Sequence, residues 1–170
     1  MSAAIAAVQR PGSSFRAGRV HWMMDGDVLY CTLPSGRRLA YVKPLLEEPD
    51  EAWMGPQLSA MKASIKPAAD ATEWPRERLW GGLLAENVCQ ATCADILTSA
   101  LMEVDAWCMN EDVTGLQLVG HTHDELIVEA PDAMQSCVKD KVEAIMRGGP
   151  DWAIGLPLDV ESWIGGYYRK

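Results

Sequence analysis

No glycine or proline interrupts residues 83–109, and this stretch constrains the fold more than any other feature. Its apolar residues recur at the three- and four-residue spacing that lines one face of a helix: Leu97, Leu101, Val104 and Cys108. Glycines stand before and after the stretch, as they do at helix boundaries. The pattern predicts one helix about 40 Å long, at a rise of about 1.5 Å per residue.

The N-terminal third carries three short β-prone runs, which are Arg19–Met24, Val28–Leu33 and Arg38–Val42. The loops between them contain Gly26 and Gly36, and glycine readily adopts the positive φ that tight hairpin turns need. These runs predict a three-stranded antiparallel meander. Residues 1–18 precede it and are rich in small and turn-forming residues, so we expect an irregular arm there.

Residues 44–78 contain five prolines and a group of acidic residues. Long structureless loops are unusual inside a compact domain. We therefore expect an excursion with little regular structure, or a surface that docks on another protein.

The last third predicts a hairpin, a helix and a strand. The hairpin joins Leu116–Val119 to Leu126–Val128 through a polar turn. The helix covers Ala133–Met146 with Asp132 as its N-cap, and the strand covers Leu156–Val160. Strands cluster in the chain instead of alternating with helices, so the predicted fold class is α+β, with an antiparallel sheet packed on a long and a second helix.

Composition and charge exclude several classes of protein. With 48% hydrophobic and 23% charged residues, the chain has the composition of a globular domain, and it lacks the apolar stretch of a membrane helix. Its net charge of −9 argues against a free-standing nucleic-acid binder. Residues 1–43 differ from the rest of the chain in carrying a net positive charge, because they contain six Arg and Lys residues and only two acidic residues. Five cysteines and no secretory signal predict reduced thiols in a cytoplasmic protein.

The polar turn holds the residues best suited to chemistry, His123, Asp124 and Glu125. Adjacent carboxylates repel one another unless a bound cation compensates, and carboxylates are preferred ligands of Mg²⁺. The turn therefore predicts a magnesium site. An ordinary solvent-exposed turn is the alternative that the spacing leaves open.

The segment VGHTHDELIVEAP resembles motif C of family A DNA polymerases, and WGGLLAENVCQATCADILTSAL resembles the helix that precedes it. The segments LPSGRRLAYVKP and GLPLDVESWIGGYYRK are similar to parts of phage-type members, so the resemblance covers nearly the whole chain in order. Trp80 stands where the phage-type pattern has tyrosine, and His121 is an addition to the motif. Neither the aspartate strand of motif A nor the nucleotide-gripping helix of motif B is present.

The resemblance implies part of a DNA-directed DNA polymerase, in which 1–43 forms an arm and meander, 44–78 an excursion and 79–170 a palm subdomain with motif C. It implies that Asp124 and Glu125 bind metal in a two-magnesium site, and that His123 contacts the primer terminus. It further implies minor-groove contacts from Asn87 and Gln90 to the primer–template, with deoxynucleoside triphosphates as substrates. A companion chain carrying motifs A and B would complete the enzyme, and the isolated chain would be inactive.

Other interpretations stay open. The chain could be a catalytically inactive palm remnant that acts as a protein-binding module of a replication complex. Cys89, Cys93, His121 and His123 could together bind zinc. A third alternative is a docking surface made by tryptophans in loop-like segments, which are Trp53, Trp74, Trp152 and Trp163. A hairpin without the motif A strand beside it would keep an open edge, so we also expect self-association or partner binding.

Overall fold

Among the residues that the structure describes, the N-terminal part of the chain forms seven strands and two helices. The C-terminal part of those residues adds a β-hairpin and a third helix. The computed structural model describes residues 1–49, 55–62 and 71–168. The elements are α1 (Ser2–Gln9), β1 (Ser14–Ala17), β2 (Val20–Asp25), β3 (Val28–Thr32), β4 (Arg38–Val42), β5 (Leu45–Glu47), β6 (Gln57–Met61), β7 (Arg76–Leu79), α2 (Gly81–Asn110), β8 (Gln117–Thr122), β9 (Glu125–Glu129) and α3 (Gln135–Gly148).

The strands form three antiparallel sheets, in the orders β1-β2-β3-β4, β5-β6-β7 and β8-β9. The predicted α+β class with antiparallel sheets and helices is thereby confirmed. The chain divides into two compact units, Met1–Thr92 and Cys93–Lys170, and α2 contributes to both. Among the described residues, no helix has the length and hydropathy that a membrane crossing requires.

The first unit is built around the four-stranded sheet. Strands β2 to β4 lie where the meander was predicted, and Gly26 and Gly36 adopt the positive φ expected of their turns. Helix α1 packs on this sheet through Ala4 and Ala7, which are fully buried. Alanine has a short side chain, so the helix can lie close to the large core residues of the sheet.

The expectation of an irregular arm over residues 1–18 was wrong. Helix α1 and strand β1 occupy this segment, and β1 pairs with β2, so the predicted three-stranded meander has a fourth strand. The turn residues that suggested irregular structure, including Gly12 and Gly18, lie only at the ends of these two elements. The burial of α1 against the sheet stabilises a helix too short to form alone.

The described part of residues 44–78 is also more regular than predicted, because it contains the β5-β6-β7 sheet except for Leu79, the last residue of β7. Pro44, Pro56 and Pro75 each stand directly before one of the three strands. Proline cannot donate to a ladder, but its fixed φ suits the extended residue that leads into a strand. The prolines therefore mark strand starts, and the fully buried Leu58 anchors the sheet in the core.

The second unit packs the C-terminal half of α2, the β8–β9 hairpin and α3 around one apolar cluster. Val104 is fully buried at its centre, with Cys108, Leu116, Val138 and Ile145 around it. Within the described residues, β8 and β9 pair only with each other. Neither outer edge of this hairpin is paired with a further strand in that part of the chain.

The strand predicted over Leu156–Val160 was wrong, because this segment forms no ladder. Pro157 is its second residue and lacks the N–H that a ladder requires. The side chain of Arg147 on α3 holds the segment instead, since its Nη2 donates to the carbonyl of Val160 at 2.8 Å. Asp132 is not an N-cap of α3 either, because it begins a separate 3-10 turn, Asp132–Met134.

Candidate metal-binding turn

The polar turn between β8 and β9 is tighter than the sequence suggested. Thr122 pairs directly with Glu125, so the loop consists of His123 and Asp124 alone. His123 has a φ of +52°, a left-handed conformation that favours glycine and costs other residues conformational energy. Strain of this kind is found where a side chain is needed at a defined place.

Asp124 is exposed at the turn and lines a pocket of about 160 Å³ in the second unit. The other walls of the pocket are mostly apolar, from Ile96, Leu97 and Ala100 of α2, Met146 of α3, and Leu158 and Val160 of the C-terminal segment. Cys93 and a second carboxylate, that of Asp159, also line the pocket, and Asp159 accepts a hydrogen bond from Arg147.

Glu125 is held by a residue that the sequence analysis did not single out. The hydroxyl of Tyr168 donates to Oε2 of Glu125 at 2.9 Å. That hydrogen bond raises the pKa of Tyr168, and the hydroxyl also interacts with Thr122, which opposes the rise. Tyr168 thus contacts both residues that flank the turn. Nothing in its local sequence signals this role, because the contact joins positions far apart in the chain.

A network of charged groups on α3 anchors the C-terminal segment that carries Tyr168. Arg147 donates to Glu143 at 2.6 Å and to Asp159 at 3.2 Å, and the Ser162 hydroxyl donates to Glu143. Hydrogen bonds from Ser162 and Arg147 lower the pKa of Glu143, and those from the Val160 backbone and Arg147 lower the pKa of Asp159. Both carboxylates are therefore charged and bound at neutral pH.

Asn87 and Gln90 lie on α2 within the first unit, whereas the turn belongs to the second. Nδ2 of Asn87 donates to the hydroxyl of Tyr41 at 3.2 Å, and Tyr41 stacks on Trp22. Asn87 therefore has a structural contact that fixes the orientation of its amide. Gln90 is exposed.

The zinc alternative has no support from the structure. Within residues 1–49, 55–62 and 71–168, no group of three or more His, Cys, Asp or Glu side chains is placed to hold a metal ion. Cys89 and Cys93 are exposed free thiols on α2. The buried Cys31 is part of the core, and burial raises the pKa of its thiol to about 11.

The predicted tryptophan surface is only partly described. Trp53 lies outside the described residues. Trp74 is exposed in a loop of the first unit, and Trp163 packs edge-on against Tyr167 in the second. Trp152 is half-buried.

Comparison with known proteins identifies what the chain is similar to. The family model of DNA polymerase family A matches residues 84–170, just over half of the chain. The chain is 37% identical over 149 residues to the DNA polymerase of Bacillus phage SP02. The matched residues make up 88% of this chain and 21% of the phage protein.

More distant bacterial relatives show the same relationship. The chain is 28% identical over 135 residues to the thermostable DNA polymerase I of Thermus aquaticus, covering 79% of this chain and 14% of that protein. The corresponding polymerase of Thermus thermophilus gives the same values. The chain thus spans about a fifth of the phage relative and less of the bacterial ones. No solved structure matches it significantly.

Proposed function

The chain belongs to DNA polymerase family A, and on that premise we propose that it is one part of a DNA-directed DNA polymerase. In this proposal the β8–β9 turn supplies metal-binding carboxylates for nucleotidyl transfer. The main support for this proposal is the two-residue turn, which places Asp124 next to Glu125. To form this turn, His123 adopts a left-handed conformation that is unfavourable for residues other than glycine. A phage or bacterial origin of the relatives favours action in the cytoplasm.

The donor set of the turn fits Mg²⁺ in part. Asp124 and Glu125 are adjacent hard oxygen ligands, and Mg²⁺ commonly takes one or two carboxylates together with substrate phosphates. When bound, paired Mg²⁺ ions supply charge stabilisation to the attacking 3′-oxygen and the leaving pyrophosphate. The described residues provide no third ligand. We therefore propose that motifs A and B come from a companion chain, or from a part of the polymerase beyond this sequence.

The residues of this chain would then act on substrate and on one another. His123, exposed beside Asp124, contacts the primer-terminal phosphate or sugar. Gln90 and Asn87 donate amide hydrogen bonds to minor-groove acceptors of the primer–template, which every base pair offers. Deoxynucleoside triphosphates are the substrates. Activity variants are best compared in an exchange enzyme, which we define as the SP02 phage polymerase carrying this chain in place of its matching segment.

Tyr168→Phe in the exchange enzyme is expected to raise the Mg²⁺ concentration for half-maximal primer extension about tenfold, because groups that orient a ligating carboxylate contribute about 10–100-fold to metal affinity. Tyr167→Phe is the matched control, since Tyr167 is 74% exposed and packs on Trp163. Measuring initial rates across a Mg²⁺ series tests this. Equal behaviour of the two variants would show that the Tyr168 contact has no effect on metal binding.

A protein-binding remnant is the second candidate function. It is favoured by the C-terminal segment, which exposes large apolar side chains such as Ile154 at 76% and Tyr167 at 74%. The open edges of the β8–β9 hairpin would serve the same purpose, through a partner or through self-association. A remnant would tolerate loss of Asp124, whereas a polymerase part would not.

A further inference from the structure

The pairing register of the four-stranded sheet places four polar residues in one row across all its strands. Arg16 of β1 pairs with His21 of β2, His21 pairs with Thr32 of β3, and Thr32 pairs with Arg38 of β4. Directly opposed residues of antiparallel strands project from the same face of the sheet. The row therefore spans the sheet over about 14 Å, at about 4.8 Å per strand.

The opposite face of the same sheet is the core of the first unit. The neighbouring row there consists of Phe15, Trp22, Cys31 and Leu39, which belong to or pack against the buried cluster. Side chains alternate between faces along a strand, so the polar row points away from the core. Accordingly, Arg16, His21 and Arg38 are exposed.

An aromatic residue adjoins the cations on this outer face. The next row consists of Ser14, Met23, Tyr30 and Ala40. The guanidinium of Arg38 lies over the Tyr30 ring, 4.4 Å from its centroid. Such a pair offers a flat cationic surface on which a nucleobase can stack, as bases do on aromatic rings and guanidinium planes.

The charge of these two rows is positive in a chain that is acidic overall. Neither row contains an acidic residue, and the nearest acidic residue on the same face is Asp25, in the third row. The whole chain has a net charge of −9, which makes this concentration of cations on one face informative about its partner. A polyanion is complementary to the charge of this face. Of the polyanionic partners, a nucleic acid would also use the Arg38–Tyr30 pair, on which a base can stack, whereas an anionic membrane surface would not.

We propose that the outer face of the β1–β4 sheet binds single-stranded DNA, with Arg16 and Arg38 on backbone phosphates and the Arg38–Tyr30 pair stacking on a base. This surface lies outside residues 84–170, which match the family model, and it does not need the metal-binding turn. Its occupant is an unpaired strand, because a duplex hides its bases from stacking. In a polymerase such a surface would hold the unpaired template strand.

Fluorescence anisotropy of a labelled single-stranded oligonucleotide, titrated with the full chain over a salt series, tests the proposal. The double variant Arg16→Gln/Arg38→Gln is expected to weaken binding about tenfold at low salt. Each lost phosphate contact removes about 0.7 from the slope of log affinity against log salt, so the slope should fall by about 1.4. Replacing both residues by lysine should restore the slope but not the full affinity.

The matched control is Arg10→Gln/Lys141→Gln, which changes the net charge equally at exposed positions outside the face. It should leave the affinity within about twofold of the original chain. Equal weakening by the control, or no binding by the original chain at low salt, would overturn the proposal. Thermal melting of each variant checks that the sheet stays folded.

Discussion

Asp124→Ala in the exchange enzyme is expected to reduce primer extension by about a hundredfold or more, because loss of a metal ligand removes several kcal/mol of transition-state stabilisation. The fold should persist, since Asp124 is an exposed turn residue. Extension of a labelled primer under saturating nucleotide measures the effect. Glu125→Ala should cost less, because Glu125 lies beside the turn, as the first residue of β9, and is already bound by Tyr168.

Asp112→Ala is the control for a general effect of charge removal, because Asp112 lies in the loop after α2 and not on the hairpin. It should leave extension unchanged. If Asp124→Ala retains full activity, the turn is an ordinary solvent-exposed turn and the remnant interpretation gains support.

His123→Gly is expected to raise stability while it lowers activity. Relief of the left-handed conformation is worth about 1 kcal/mol, or about 2–4 °C in melting temperature for a chain of this size. Loss of the imidazole should reduce extension about tenfold, if His123 contacts the primer terminus. Thermal melting and primer extension on the same preparation give both values.

Asp112→Gly gives a matched control, because Asp112 also has a positive φ, of +48°, at a site without a proposed role. It should raise the melting temperature and leave extension unchanged. Unchanged extension in His123→Gly would show that the strain at the turn serves no catalytic purpose.

Much of the fold could be predicted from local pattern. The run of residues 83–109 lies within α2, and the β2–β4 strands follow their β-prone runs closely. The small β5-β6-β7 sheet was missed because the five prolines of residues 44–78 suggested irregular structure, although three of them, Pro44, Pro56 and Pro75, directly precede its strands. The opposite error was made for Leu156–Val160, which was predicted to be a strand. Its composition is typical of a strand, but no neighbouring strand pairs with it in the described residues.

In the candidate site, too, local sequence features could be predicted and long-range contacts could not. The turn residues Asp124 and Glu125 could be found because adjacent carboxylates between apolar strands are conspicuous in a sequence. The contact of Tyr168 with Glu125 could not, since it depends on how Arg147 anchors the C-terminal segment. The Arg16–Arg38 row likewise depends on the register of three strand pairs, and no local sequence motif encodes it.

We propose above that this chain supplies one part of a polymerase active site. The most direct measurement is Mg²⁺-dependent primer extension by the exchange enzyme, beside the isolated chain and the phage polymerase lacking the segment. The exchange enzyme is expected to extend the primer, and neither incomplete sample is expected to do so. Robust extension by the isolated chain, or a folded exchange enzyme that binds primer–template but does not extend it, would contradict the claim.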